Sequence, residues 1–211
     1  MTELHTTAYS SYSSSLLFRS LYEPNAAFTA LSQANPSPWA VLLRHSLWLL
    51  LLPPLFALIG AANFGWRLGA AEPLRLPLNE LFLISVGYFA LLVFGLLSTA
   101  LISCWMAATY GANQSPGRNL ALITIVGEPL ALASAAHLYP DVFVNILVLI
   151  PAMMWSMYLL YKGVPTALDT PPERGMLMAS SLVGWLLVAA VSLLGLSMGL
   201  WVIGIGPLLG V

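Results

Sequence analysis

Five apolar runs, each long enough to cross a bilayer, constrain this chain more than any other feature of it. A transmembrane helix needs about 20 consecutive apolar residues. Stretches at about 46–63, 81–109, 120–138, 142–161 and 176–203 supply them. Backbone N–H and C=O groups in hydrocarbon must pair within the chain, so such runs form helices. The expected fold is all-α: a polytopic membrane protein with five transmembrane helices over residues 46–205, preceded by a polar tail over residues 1–45. Composition agrees. Only 7% of the 211 residues are charged, against about 25% in a soluble domain. A net charge of −1 gives no footing for nucleic acid.

Local signals refine the spans. Pro53-Pro54 predicts a kink in the first, which Trp48 and Trp66 anchor at the interfaces. The second is long enough to tilt. Tyr139-Pro140-Asp141 breaks the third from the fourth and makes them a tight antiparallel hairpin. The opening "MTELHTTAYSSYSSS" lacks the basic and apolar regions of a signal peptide. Behind it, "SLLFRSLY" offers a short amphipathic turn with Leu17, Phe18 and Leu21 on one side, suited to a membrane surface. The competing expectation is a disordered tail, because Ser and Thr runs bury little.

Lysines and arginines set the expected orientation. With the N-terminus inside, the cytoplasmic segments hold Arg19, Arg44, Arg118, Lys162 and Arg174, and the opposite side holds Arg67 and Arg75. The positive-inside rule therefore favours N-in, C-out. The loop "YLLYKGVPTALDTPPERG", Tyr158 to Gly175, then faces the cytoplasm, as does "YGANQSPGRN".

The order of features resembles the bacterial branch of the Yip family, five-span proteins named for eukaryotic members that interact with Ypt/Rab GTPases. The residues that carry the resemblance are Pro53-Pro54 in the first span, Tyr110-Gly111 before the third, Pro129 within it, and Tyr158 through Arg174 after the fourth. It covers about Pro36 to Gly206 and is most specific in the last motif. It implies an architecture and a membrane location. Eukaryotic members carry an Asp-Leu-Tyr-Gly-Pro motif before the first span, which "SLYEP", Ser20 to Pro24, matches only in part. That departure argues against a Rab-type GTPase partner.

Few residues carry chemistry. Glu128 is the one acid near the middle of a predicted span, and a charged carboxylate there costs about 2.5–3.5 kcal/mol unless paired or protonated. It is either an ion or proton site beside the Pro129 kink or a neutral acid bonded to a neighbouring helix. Cys104 lies in an apolar run, where a thiol is inert. No Gly-x-Ser-x-Gly elbow and no phosphate-cradling loop occur. No catalytic, cofactor or metal site is expected; His137 and Asp141, at i,i+4, are the nearest approach to a metal pair. Gly195 and Gly199 form a G-x-x-x-G face, for packing within the bundle or in a homo-oligomer.

In the loop, Tyr158 and Tyr161 place hydroxyls near headgroups, and Lys162 snorkels towards phosphate. Gly163 suits a helix C-cap, and Pro165 and Pro171-Pro172 stop the helix. Asp169-Thr170 before Pro171-Pro172-Glu173 reads as the next helix start. Tyr158, Tyr161, Lys162, Glu173 and Arg174 are thus the candidate contacts for lipid or a partner protein. The resulting reading is a non-catalytic membrane protein that organises lipids or protein partners. The alternative is a small transporter or channel working through Glu128.

Overall fold

A computed structural model describes residues 15–67 and 72–202. Two short helices, α1 (Ser15–Tyr22) and α2 (Pro24–Gln33), precede five long ones. These are α3 (Pro38–Phe64), α4 (Leu78–Tyr110), α5 (Pro116–Leu138), α6 (Val142–Ala167) and α7 (Pro172–Val202). All five are long and apolar enough to cross a membrane. Among the described residues the only β pairing is two isolated bridges, Trp66 with Leu74 and Arg67 with Asp141.

The helix ends follow ordinary stereochemistry. Pro24, Pro38, Pro116 and Pro172 each open a helix, where the missing N–H is not needed. Asp141 opens α6 as a side-chain cap, accepting from the backbone N–H of Phe143 and Val144 at 2.9 and 3.1 Å. Gly111 closes α4 in the left-handed region (φ 67°), where a Cβ would be strained.

The bundle is arranged around α5. In its most apolar stretch 56% is buried, against 11–22% for the other four long helices, so α5 is the hub. Three polar residues on it each meet a serine from a different helix. Ser103 of α4 donates to Asn119 Oδ1 at 2.6 Å. Ser46 of α3 and Thr124 share a 2.7 Å hydrogen bond. Ser20 of α1 donates to Glu128 Oε2 at 2.8 Å.

Several boundaries differ from the sequence expectation for physical reasons. The first span begins at Pro38, and a π-helical turn at Leu42–Ser46 widens it; Ser46 at the end of that turn is buried against Thr124. Pro53 and Pro54 lie buried inside a continuous α3. Gly163 is not a C-cap and Pro165 is not a stop, because α6 runs on to Ala167. Gly163 is there for contact. A Cβ on it would meet Leu122 Cδ1 at 2.6 Å and the Phe28 ring at 2.8 Å. The chain turns at Leu168 and at Asp169, which has φ 50°.

The segment before the first span is folded from Ser15 onward. Ala27, Phe28 and Leu31 of α2 are buried against the bundle, and α1 packs on α2 and α5. The expected amphipathic turn is therefore a helix. Leu21 is half-buried, while the side chains of Leu17 and Phe18 lie outside the described residues.

Gly163→Leu should overpack this junction and cost about 1–3 kcal/mol. Gly184→Ala, where a Cβ meets nothing within 4 Å, should be neutral. Thermal unfolding of the two variants in detergent micelles checks the contrast; equal midpoints would show that the Phe28–Gly163 contact does not hold α2 to the bundle.

Candidate functional site

The Tyr158–Gly175 stretch forms one end of the bundle together with the turn between α4 and α5. The two connections are tied to each other. Asn113 donates its backbone N–H to the Leu168 carbonyl at 2.7 Å. Thr170 Oγ1 donates to the Tyr110 carbonyl at 3.1 Å. Arg118 pairs with Asp169 at 2.5 Å and donates through Nε to the Ala34 carbonyl, so it joins both connections to the end of α2. Asn119, fully buried, sends its amide to the carbonyls of Asn113 and Ser115 at 3.0 and 2.9 Å. The backbone at this end is therefore satisfied internally.

Two tyrosines dock α7 here. Tyr110 and Tyr161 share hydrogen bonds with the neighbouring hydroxyls of Ser181 and Ser180, at 2.8 and 2.9 Å. Tyr161, an expected headgroup contact, thus also ties α6 to α7. Tyr158 does face outward, tilted against Trp155 with ring centroids 5.0 Å apart. Gly175 lies against Pro165, where a Cβ would come within 2.8 Å, so α7 starts close on α6.

Lys162, Glu173 and Arg174 are exposed. The ion pairs among the described residues are Arg19–Glu23 and Arg118–Asp169, which leave these three charges outside any pair. Arg174 reaches over Gly111; its Nη1 lies 3.3 Å from where a Cβ would stand. The two motif elements Tyr110-Gly111 and Glu173-Arg174 thus meet at one end of the bundle.

Glu128 sits inside the bundle, 1% exposed. Leu122 lies beside Gly163, and six further residues along α5 place Glu128 about 9 Å below that level. Its hydrogen-bond donor is Ser20, 108 positions away in sequence. No short-range signal could have found that partner. Pro129 lies within α5 without ending it.

The remaining candidates separate. Gly195 and Gly199 are exposed, and a Cβ on either meets nothing within 4 Å, so the described chain packs no helix against this face. His137 does not turn to Asp141: its Nδ1 shares a 2.5 Å hydrogen bond with Asn145 Oδ1, while Asp141 caps α6. Among the described residues no group of three His, Cys, Asp or Glu side chains is placed to hold a metal ion. Cys104 is half-buried, its Sγ 3.7 Å from the Gln114 carbonyl. Sequence reasoning missed the contact glycines Gly60, Gly117 and Gly163, whose Cβ positions are occupied by the His137 carbonyl, the Pro36 carbonyl and Phe28 with Leu122.

The family model of the Yip1 domain matches residues 18–206. The chain belongs to the Yip1 family. The chain is also similar to the inner membrane protein YohC of Escherichia coli strain K12. The two are 28% identical over 158 residues, 75% of this chain and 81% of that protein. The same figures hold for the inner membrane protein YohC of Escherichia coli O6:H1. No solved structure matches the chain. The Yip1 match begins at residue 18, inside α1, so it takes in the Ser20–Glu128 contact as well as the five long helices.

Ser20→Ala should leave the buried Glu128 carboxyl without its donor and lower stability by about 1–3 kcal/mol. Glu128→Gln keeps an oxygen for Ser20 and should cost much less. Thermal unfolding of both variants tests the order; a Ser20→Ala midpoint equal to the parent would remove the contact from the list of stabilising ones.

Proposed function

We propose that this Yip1-family protein is a non-catalytic component of the bacterial inner membrane that organises lipids or partner proteins at the end carrying the Tyr158–Gly175 loop. One observation carries the reading. Lys162 near the end of α6 and Glu173 and Arg174 in the first turn of α7 stand exposed and outside any ion pair among the described residues, at an end of the bundle whose two connections are tied to each other. Five against two lysines and arginines further support placing this end in the cytoplasm, N-in and C-out. There, anionic headgroups contribute about 1 kcal/mol per basic residue near the surface.

The same reading takes Glu128 as a structural acid, held by Ser20 in a closed interior. Two measurements separate it from transport. The double variant Lys162→Ala with Arg174→Ala should release associated anionic lipid or crosslinked partners while its unfolding free energy stays within about 0.5 kcal/mol of the parent. Unchanged lipid retention and an unchanged crosslinking pattern would sink the proposal. In proteoliposomes neither the parent nor Glu128→Gln should pass protons or cations; flux in the parent that vanishes in the variant would favour the transporter.

A further inference from the structure

We infer that the opposite end of the bundle holds a binding site for one anionic phospholipid, with the phosphate at Arg67 and one acyl chain between α3, α4 and α6. This rests on the lipid side of the proposed function, but on residues remote from the Tyr158–Gly175 loop.

A cavity of about 860 Å³ lies between these helices, lined by Ala57, Leu58, Ile84, Tyr88, Ile150 and Met153 among others. Its volume falls in the range of about 300–1,000 Å³ typical of small-molecule sites. Along α6 its walls run from Val142 to Met153, about 17 Å at the helical rise. Half of a hydrocarbon core of about 30 Å is about 15 Å. The cavity therefore has the depth of one leaflet and the lining of an acyl-chain slot.

Arg67, its one charged lining residue, stands at one end with His137 and Asn145, while Ser85 and Tyr88 line it further along α4. Arg67 is held in place. Its backbone N–H donates to the Pro140 carbonyl at 3.0 Å, and its Nη1 donates to the Tyr139 hydroxyl at 3.0 Å. The guanidinium carbon lies 5.4 Å from the centre of the Tyr139 ring. Among the described residues no carboxylate pairs with it; Asp141, next to it in space, is occupied as the α6 cap. Its Nε is shut off from solvent and has no acceptor. The accessible part of the guanidinium, with no carboxylate partner among the described residues, stands beside an apolar slot and so beside the phosphodiester of a lipid whose acyl chain fills it. A zwitterionic lipid brings its own ammonium to that phosphate, so the uncompensated charge of Arg67 favours an anionic phospholipid over a neutral one or a helix of another protein.

The test uses the full chain reconstituted into vesicles of equal phosphatidylglycerol and phosphatidylcholine, re-extracted into detergent and weighed by native mass spectrometry. The parent should keep one phosphatidylglycerol, preferred by about 10-fold over phosphatidylcholine, whose choline ammonium offsets the phosphate charge that both lipids bring to Arg67. Arg67→Gln should abolish the preference. Ala57→Phe, which fills the slot, should lose both lipids, and Ser85→Leu serves the same purpose if Ala57→Phe does not fold. Arg75→Gln removes an exposed charge at the same end, outside the cavity lining, and should change nothing. Retention that is equal in the parent and the slot-filling variants overturns the inference. So does an equal loss in Arg67→Gln and Arg75→Gln, which would reduce the effect to surface charge. A lost effect here with an intact effect of the Lys162/Arg174 double variant leaves the proposed function standing.

Discussion

Every helix but α7, which packs on α4 and α6, rests on α5, and three hydrogen bonds join α5 to serines of other helices. Asn119 takes Ser103, Thr124 takes Ser46 and Glu128 takes Ser20. In lipid, apolar side chains gain nothing by leaving hydrocarbon for one another, so helices associate through close packing and polar contacts. Such hydrogen bonds are individually modest, about 0.6 kcal/mol on average and up to about 1.7 kcal/mol. Their larger effect is on register, because each fixes the height and rotation of one partner helix against the hub. Packing glycines complete the job where backbones touch. Gly60 lies against the His137 carbonyl, Gly117 against the Pro36 carbonyl and Gly163 against Phe28.

The spans themselves were legible because a bilayer leaves the backbone few choices. About 20 apolar residues in a row can only be a helix there, and all five runs are helices. The boundaries were less legible, because local signals were outweighed by contacts the sequence does not display. Gly163 reads as a cap until Phe28 and Leu122 are seen against it, and Pro165 then rides inside the helix. The first forty-five residues read as a tail because their apolar positions are sparse. Phe28 and Leu31 nevertheless bury fully, because α5 and α6 already present a surface for them.

At the loop, sequence and structure agree on which residues are charged and outward, and differ on what holds them there. Lys162, Glu173 and Arg174 were readable as an exposed set from their place between two spans. The tie from Arg118 to Asp169, and the backbone bond from Asn113 to Leu168, join segments about fifty positions apart and carry no periodic signal. Tyr161 shows what residue type leaves out: an interfacial tyrosine suggests a headgroup, and only the fold shows that its hydroxyl also meets Ser180 of α7. Glu128 was recognisable as unusual from its depth alone, and only the fold could supply Ser20.

Exposed features of this bundle differ in whether they call for an occupant. Along α7, Met178, Ala179 and Leu182 are buried, while Leu187, Val191 and Leu194 further on are more than half exposed, with Gly195 and Gly199 open beside them. In water such a surface would require a partner. In hydrocarbon it is already solvated, so an open apolar face is weak ground for a dimer. Arg67 obeys the opposite rule. A guanidinium without a carboxylate is costly wherever water is scarce. In a membrane protein, therefore, the polar group left short of a partner is the informative feature, and the bare hydrophobic face is the silent one. By that criterion the slot beneath Arg67 has a stronger claim to a ligand than the glycine face of α7 has to a second copy of the chain.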